Sequence, residues 1–268
     1  MHADLKHAVD AAYAQRWEEA LDLLLRAAEA GDADAQAQLA VMAGETDARD
    51  WRRMRAGLET QKLITPAPLT RLSQQATIGV SRGFAPPGFG AWLIARAMDR
   101  LEPAMVNDAS TGEARQHPMR TALNCAFGPQ HRDMVLAVMQ TRAARLSNMP
   151  IAQHEAPNVI SYLPGQQFGL HVDFVEPSTP GFERELRILG QRAITIVTYL
   201  NDDFEGAPTH FPALGIDFRG AAGDAIAFSN VRPDGRPDRN TVHAGLPPTR
   251  GRKWVLSQWL RDRPQPVV

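Results

Sequence analysis

Cysteine is almost missing from this chain: Cys125 is the only one in 268 residues. A single thiol excludes an intrachain disulfide and a metal site built from thiolates alone. Long apolar runs are missing as well. No stretch approaches the ~20 consecutive apolar residues that span a bilayer. The first residues, MHADLKHAVDAAYAQRWEEA, lack the apolar segment of a signal peptide. A soluble cytoplasmic protein with no membrane contact is therefore expected. Net charge is nearly absent, with 29 Lys and Arg against 30 Asp and Glu, or -1 at pH 7. Such a balance gives no general pull toward nucleic acid or anionic lipid, so nucleic acid is not expected as a partner. The oligomeric state is left open.

What is present is enough for a core: 44% of residues are hydrophobic. Residues 1–62 read as helical, rich in Ala, Leu, Glu and Arg. Trp17, Ala20, Leu21, Leu24 and Leu25 recur at three- and four-residue steps and make one apolar stripe. Gly31 ends that helix, and Asp32 or Asp34 can cap the next. The AAEAGDADAQ turn resembles a tetratricopeptide-like hairpin. One unit cannot bury a core alone, so this extension is expected to pack on the rest of the chain. Residues 63–268 form the second unit. It begins with a linker from Leu63 to Thr77. Helical patterns follow in the SRGFAPPGFGAWLIARAMDRL and HRDMVLAVMQTRAARLSNM segments. From about 155 to 263 the pattern changes to short apolar or alternating runs punctuated by Gly, Pro, Asn and Asp. These predict an all-β barrel or jelly roll, and an α+β chain as a whole.

The motif His-x-Asp occurs three times, so it decides nothing without context. His2-x-Asp4 lies at the terminus. His131-x-Asp133 opens a helical pattern, where residues two apart do not share a face, and Asp133 reads as a helix-start residue. His171-x-Asp173 lies in FGLHVDF. Residues two apart on a strand point the same way, so Phe168, Leu170, Val172 and Phe174 would face a core wall while His171 and Asp173 face a cavity. Two imidazoles and one carboxylate on one side of a metal, with open positions opposite, are the ligands of non-haem Fe(II) oxygenases. The third ligand should come from a later strand, which leaves His210 or His243. Ten residues after His243, Lys253 opens an alternating strand on which Lys253, Val255, Ser257 and Trp259 share a face. A buried unpaired amine is costly. A dicarboxylic co-substrate would satisfy it through a charge-assisted pair.

Several segments together resemble the prolyl 4-hydroxylase-type Fe(II)/2-oxoglutarate-dependent dioxygenases, over about residues 81–263. HPMRTALNCAF resembles that family's Arg-Thr-Ser segment through Arg120 and Thr121. SYLPGQQFGLHVDF is similar to its Tyr-x-x-Gly-Gln-x-Tyr-x-x-His-x-Asp run, with Phe168 in place of the second Tyr. RAITIVTYLNDDFEGAPTHFP, GDAIAFSN and HAGLPPTRGRKW follow in the family's order. The resemblance implies a double-stranded β-helix (jelly-roll) core. It implies iron on His171, Asp173 and His243. The 2-oxoglutarate carboxylate would be held by Lys253 and Tyr199, in a pocket lined by Tyr162, Thr195, Ser257 and Trp259. Arg192 and Phe228 fall at substrate-contacting positions. The co-reactants implied are Fe(II), 2-oxoglutarate and O2, with ascorbate as an accompanying reductant. The expected substrate is a prolyl residue of a peptide or protein. The family's Gly-Gly-Glu-Thr turn is Gly206-Ala207-Pro208-Thr209 here, and His210 follows it. The charged segment after Asp173, VEPSTPGFERELRILGQ, is long enough to close over a bound peptide. Two alternatives stand beside this reading. One is hydroxylation of another side chain or a small metabolite. The other is a peptide-binding scaffold with a vestigial oxygenase core.

Overall fold

A computed structural model of the chain describes residues 3–45, 50–107 and 114–266. Five helices come first: α1 (Ala3–Tyr13), α2 (Trp17–Glu29), α3 (Ala33–Ala43), α4 (Trp51–Gly57) and α5 (Thr60–Ile64). The predicted stripe is there, with Trp17, Ala20, Leu21 and Leu24 buried on α2. Asp32 caps α3 by accepting from Ala35 N at 2.9 Å, which satisfies one of the free donors of its first turn. The His2-x-Asp4 motif has its histidine outside the described residues.

Sixteen strands and three further helices follow. In chain order they are β1 (Thr70–Arg71), β2 (Ile78–Ser81), α6 (Phe89–Met98), β3 (Glu102–Pro103), β4 (Val106–Asn107), β5 (Ala114–Arg115), β6 (Leu123–Ala126) and α7 (Met134–Ser147). Then come β7 (Asn158–Tyr162), β8 (Phe168–His171), α8 (Glu183–Leu189), β9 (Arg192–Tyr199), β10 (Glu205–Gly206), β11 (Thr209–Phe211), β12 (Ile216–Phe218), β13 (Ala225–Ser229), β14 (His243–Gly245), β15 (Pro248–Arg250) and β16 (Lys253–Arg261). The major sheet runs β1-β2-β13-β9-β16-β7-β6-β3, and the minor sheet β12-β11-β14-β8. The described pairings are antiparallel. This is the two-sheet jelly roll that the sequence pattern predicts. It begins earlier than predicted, because β1, β2, β3 and β6 lie upstream of residue 155. All four have only two to four residues with little alternation, so periodicity could not reveal them.

The central strands of the major sheet are buried on both faces, and β16 is buried at every position. Its inward residues, Lys253, Val255, Ser257 and Trp259, alternate with Trp254, Leu256 and Leu260, which meet the helices. Two apolar clusters result. Ile160, Val197, Phe211, Ile226 and Val255 fill the space between the sheets. Val159, Ile196, Ala227 and Leu256 on the outer face join the buried residues of α1, α2, α3, α6 and α7 in one continuous cluster. α7 is buried from Met134 through Ala143 because it lies between sheet and extension. Polar ties fix it there: Gln38 Oε1 accepts from Met134 N at 2.8 Å, and Tyr13 donates to Gln140 Oε1 at 2.8 Å. The helical extension therefore packs on the rest of the chain and shares its core. Asp133 caps α7, accepting from Leu136 N at 2.6 Å and pairing with Arg96. The second His-x-Asp motif is thus a helix start.

Candidate active site

Strands β8 and β14 pair so that His171 and His243 are direct cross-strand partners. Their rings stand 4.2 Å apart. Asp173 follows just beyond the end of β8. Its Oδ1 is 3.5 Å from His171 Nε2, and its Oδ2 is 3.7 Å from His243 Nε2. One ligand atom from each of the three residues lies within 4.8 Å of the others. Each imidazole is oriented by its other nitrogen. His171 Nδ1 meets Gly169 O at 2.8 Å, and His243 Nδ1 meets Thr241 O at 3.0 Å. Those nitrogens carry the protons, which leaves both Nε2 lone pairs turned inward. Burial pushes His243 down to about 4, helped by His171 and opposed by Asp173. Burial would raise the Asp173 carboxyl, but His243, His171 and Arg192 outweigh it and hold it well below the usual range. Two neutral imidazoles and one carboxylate are a donor set fitted to a divalent ion such as Fe(II).

The alternation predicted around His171 is corrected in two places. Leu170 is exposed, at 52%. Phe168 packs at the edge of the inner cluster but also lines the cavity, stacked on His171 with ring centroids 3.5 Å apart. The cause is the shortness of β8, together with the irregular register between β8 and β14. That register shift breaks the strict two-residue period.

Lys253 enters the same cavity from β16. It is 2% exposed, and burial pulls its amine down to about 7. Its Nζ donates to Ala207 O at 2.8 Å and lies 4.9 Å and 5.4 Å from the Tyr199 and Tyr162 ring centroids. Among the described residues it makes no ion pair with a carboxylate. Tyr162, Ser257 and Trp259 line the cavity, joined by Thr209 and Gly245. Burial raises Tyr162 to about 12, so its hydroxyl stays protonated. Tyr199 is adjacent, but its hydroxyl is already engaged with Phe218 O at 2.7 Å and Thr209 Oγ1 at 2.9 Å. It packs beside the amine and positions Thr209. Thr195 is displaced further from its expected place. It is fully buried and donates to Asp173 Oδ2 at 2.8 Å.

The two positions predicted to touch substrate also differ. Phe228 is a core residue behind His243, edge-on to that ring at 4.8 Å and to Phe211 at 5.1 Å. Arg192 borders a cleft of about 610 Å³ that reaches His171 and Asp173, together with Met105, Met119, Arg120, Phe182 and Trp259. Its guanidinium, however, is held by Glu155 (Nε to Oε1 2.6 Å, Nη2 to Oε2 2.9 Å) and stacks over Trp259 at 4.3 Å. His210 points away and pairs with Asp217 at 2.6 Å across β11 and β12.

Several residues of the site were not singled out from sequence. Glu155 also takes Arg261 Nε at 2.6 Å, and Arg261 reaches Glu185 on α8 at 2.5 Å. Gln191 clasps both polar groups of the Val175 backbone at 2.7 Å, closing the base of the charged segment after Asp173. That segment supplies one wall of the cleft through Phe174, Glu176, Phe182 and Glu185. Asn230 touches Thr195. Its only sequence signal is a polar residue ending the apolar strand AIAFSN.

Comparison with known proteins agrees with this geometry. Residues 157–261 match the model of the 2OG-Fe(II) oxygenase superfamily, a family whose description names iron and 2-oxoglutarate. Prolyl 4-hydroxylase 1 of Arabidopsis thaliana is 28% identical over 206 residues, which are 72% of this chain and 71% of that protein. The prolyl 4-hydroxylase subunit alpha-1 of Gallus gallus is 31% identical over 169 residues, 63% of this chain and 32% of the subunit. The chain thus spans only about a third of that longer relative, and 63% of the probable prolyl 4-hydroxylase 3 of Arabidopsis thaliana. Among solved structures, the viral collagen prolyl hydroxylase of Paramecium Bursaria Chlorella virus-1, in a 2OG complex, superposes with a TM-score of 0.52 at 23% identity. The match covers 68% of this chain and 94% of that one, and it shows a shared fold.

Proposed function

We propose that this chain, whose residues 157–261 match the 2OG-Fe(II) oxygenase superfamily, is a dioxygenase of that kind that hydroxylates a prolyl residue of a peptide or protein. The observation that carries the reading is one cavity in which His171, Asp173 and His243 converge and into which the buried amine of Lys253 projects. When bound, iron and 2-oxoglutarate supply the oxidation of an unactivated C–H by O2, with succinate and CO2 as co-products. His171, Asp173 and His243 would hold the ion through Nε2, a carboxylate oxygen and Nε2. Lys253 would pair with the distal carboxylate of 2-oxoglutarate, exchanging the Ala207 carbonyl for a charged acceptor. Tyr162, Ser257 and Trp259 would wall that pocket, and Tyr199 would set the position of Thr209 beside it. The cleft bounded by Met105, Met119, Phe182 and Trp259 offers an apolar surface next to the ligands, where a peptide segment can lie out of bulk water. Arg192 is rigidly held against Trp259, so it shapes this surface and does not reach out to substrate.

The prolyl assignment is supported by the names of the relatives. The altered turn at Ala207 and Pro208 and the Glu155 clamp on Arg192 favour a second reading, hydroxylation of a different side chain. Ascorbate is proposed as an accompanying reductant that prolongs turnover without changing the product. The test is an assay with Fe(II), 2-oxoglutarate and O2 on proline-rich peptides and on free amino acids, reading succinate and a +O mass shift. Wild type should hydroxylate peptidyl proline, and Asp173→Ala should lose both signals. Near-normal succinate from Asp173→Ala would sink the assignment. A +O shift on a residue other than proline would move it to the second reading.

A further inference from the structure

We propose that Thr195 and Asn230 form a buried relay that fixes the orientation of the Asp173 carboxylate toward the metal and ties that ligand to the loop orienting His243. The proposal rests on the metal-centre reading above and adds two positioning residues to it. Thr195 on β9 and Asn230, just past β13, are both fully buried. Thr195 Oγ1 donates to Asp173 Oδ2 at 2.8 Å, and Asn230 Nδ2 donates to Thr195 Oγ1 at 2.9 Å. The direction of these bonds follows from the donor inventory. A hydroxyl has one proton, and an ionised carboxylate can only accept. Thr195 must therefore give its proton to Asp173 and accept from the amide of Asn230.

The amide of Asn230 is used at one end only. Its Oδ1 is buried with no hydrogen-bond partner. An unsatisfied buried carbonyl is costly, and turning the amide over to satisfy it would take the Thr195 proton away from the carboxylate. The observed orientation is the one that serves Asp173. With Oδ2 held by Thr195, the rotation of the carboxylate is set, Oδ1 lying 3.5 Å from His171 Nε2 and Oδ2 3.7 Å from His243 Nε2.

The backbone of Asn230 carries the second arm. Its carbonyl accepts from Asp238 N at 2.9 Å. The carbonyl of Asp238 accepts from Thr241 Oγ1 at 2.7 Å. The carbonyl of Thr241 meets His243 Nδ1 at 3.0 Å. These hydrogen bonds, joined through the covalent frames of Asn230, Asp238 and Thr241, link Asp173 to His243 and orient two of the three ligands together. Partners of this kind set the orientation of metal ligands, and their loss typically weakens metal affinity by about 10–100-fold.

The experiment measures Mn(II) affinity of the full chain without co-substrate, by competition with a fluorescent chelator, beside a thermal melt of each metal-free variant. Thr195→Val should weaken Mn(II) binding by about 10–100-fold, while Thr195→Ser, which keeps the hydroxyl, should stay within about twofold of wild type. Asn230→Asp keeps the shape but turns a donor into an acceptor that competes for the Thr195 proton. It should weaken binding at least as much as Thr195→Val, and its effect should shrink when Thr195 is already Val. Asn230→Asp carries the test alone if Thr195→Val does not fold. Near-wild-type affinity in Asn230→Asp would overturn the relay. So would equal losses in Thr195→Ser and Thr195→Val, or an Asn230→Asp penalty undiminished in the double variant. A wild-type protein that binds no Mn(II) is a separate result, and it would overturn the metal centre itself.

Discussion

Lys253 gives the most quantitative prediction. Its amine is fully buried, donates among the described residues only to the Ala207 carbonyl, and is pulled down to about 7 by burial. A bound distal carboxylate would add a charge-assisted hydrogen bond, worth about 1.5–3 kcal/mol net. At about 1.4 kcal/mol per tenfold, Lys253→Met should weaken 2-oxoglutarate binding by roughly 10–150-fold, with little loss of fold because the methionine fills similar volume. The pH dependence has a defined sign. Only the protonated amine pairs well with a carboxylate, and in the free site that form disappears above pH 7. Affinity should therefore be flat below pH 7 and fall by up to about tenfold per pH unit above it, as the proton must be taken up on binding. Stability of the free protein runs the other way. The unfolded lysine holds its proton up to its ordinary range near 10.4 while the folded one loses it near 7, so this group adds stability as pH rises between those values. Calorimetric titration of the Mn(II)-loaded protein in two buffers of different ionisation enthalpy at pH 8 should report uptake of close to one proton. Lys253→Met should abolish that uptake. A pH-independent affinity between pH 6 and 9, or wild-type affinity in Lys253→Met, would refute the assignment of Lys253 as anchor.

Two predictions test the fold around the site. Gly90 lies in the first turn of α6, where alanine would ordinarily gain up to about 1 kcal/mol in helix propensity. A Cβ there would sit 2.1 Å from Leu200 O, so Gly90→Ala should lower stability by more than that gain in urea denaturation; a stabilised variant would contradict the close approach of α6 to the end of β9. Glu155→Gln should cost about 3 kcal/mol, because it leaves the half-buried Arg192 without its counter-charge and the buried Arg261 with Glu185 alone. At 2–4 °C per kcal/mol, Tm should drop by roughly 6–12 °C at neutral pH. Burial would raise the Glu155 carboxyl, but Arg192 and Arg261 hold it lowered. Its stabilisation is present above the ordinary glutamate range and lost as pH falls through the lowered value, so the gap between variant and wild type should close in acid. A constant gap would show that packing, not charge, is lost.

The parts of this fold that can be read from sequence are those where burial imposes a period. β9 and β16 alternate because each meets apolar cluster on both sides, so the shared faces of Thr195 with Tyr199 and of Lys253 with Ser257 are legible from spacing alone. His171 and Asp173 were selected by the same rule, yet part of the alternation around them is absent, since Leu170 is exposed and Phe168 lines the cavity. The motif still brings His171 and Asp173 beside His243, although the strand is not regular. Strands β1 and β3 escape the rule entirely, since two residues have no period. The Glu155–Arg192–Arg261 cluster escapes for another reason. Its members are 37 and 106 residues apart, and charged residues are by default solvated, so nothing local distinguishes these from the rest.

Thr195 shows where reading from sequence stops and tertiary structure begins. Its inward direction follows from the alternation of β9, and that alone placed it in a pocket beside Tyr199. What it touches depends on which strand end lies across from it, and Asp173 reaches it only because the chain leaves β8 immediately after His171. A hydroxyl aimed at a carboxylate does a different job from one aimed at a co-substrate. The first sets ligand geometry before any small molecule arrives; the second contributes only afterwards. The two are separable by measurement, since a role in the co-substrate pocket would leave Mn(II) affinity untouched and raise only the 2-oxoglutarate requirement, whereas the observed bond to Asp173 puts the effect on the metal first.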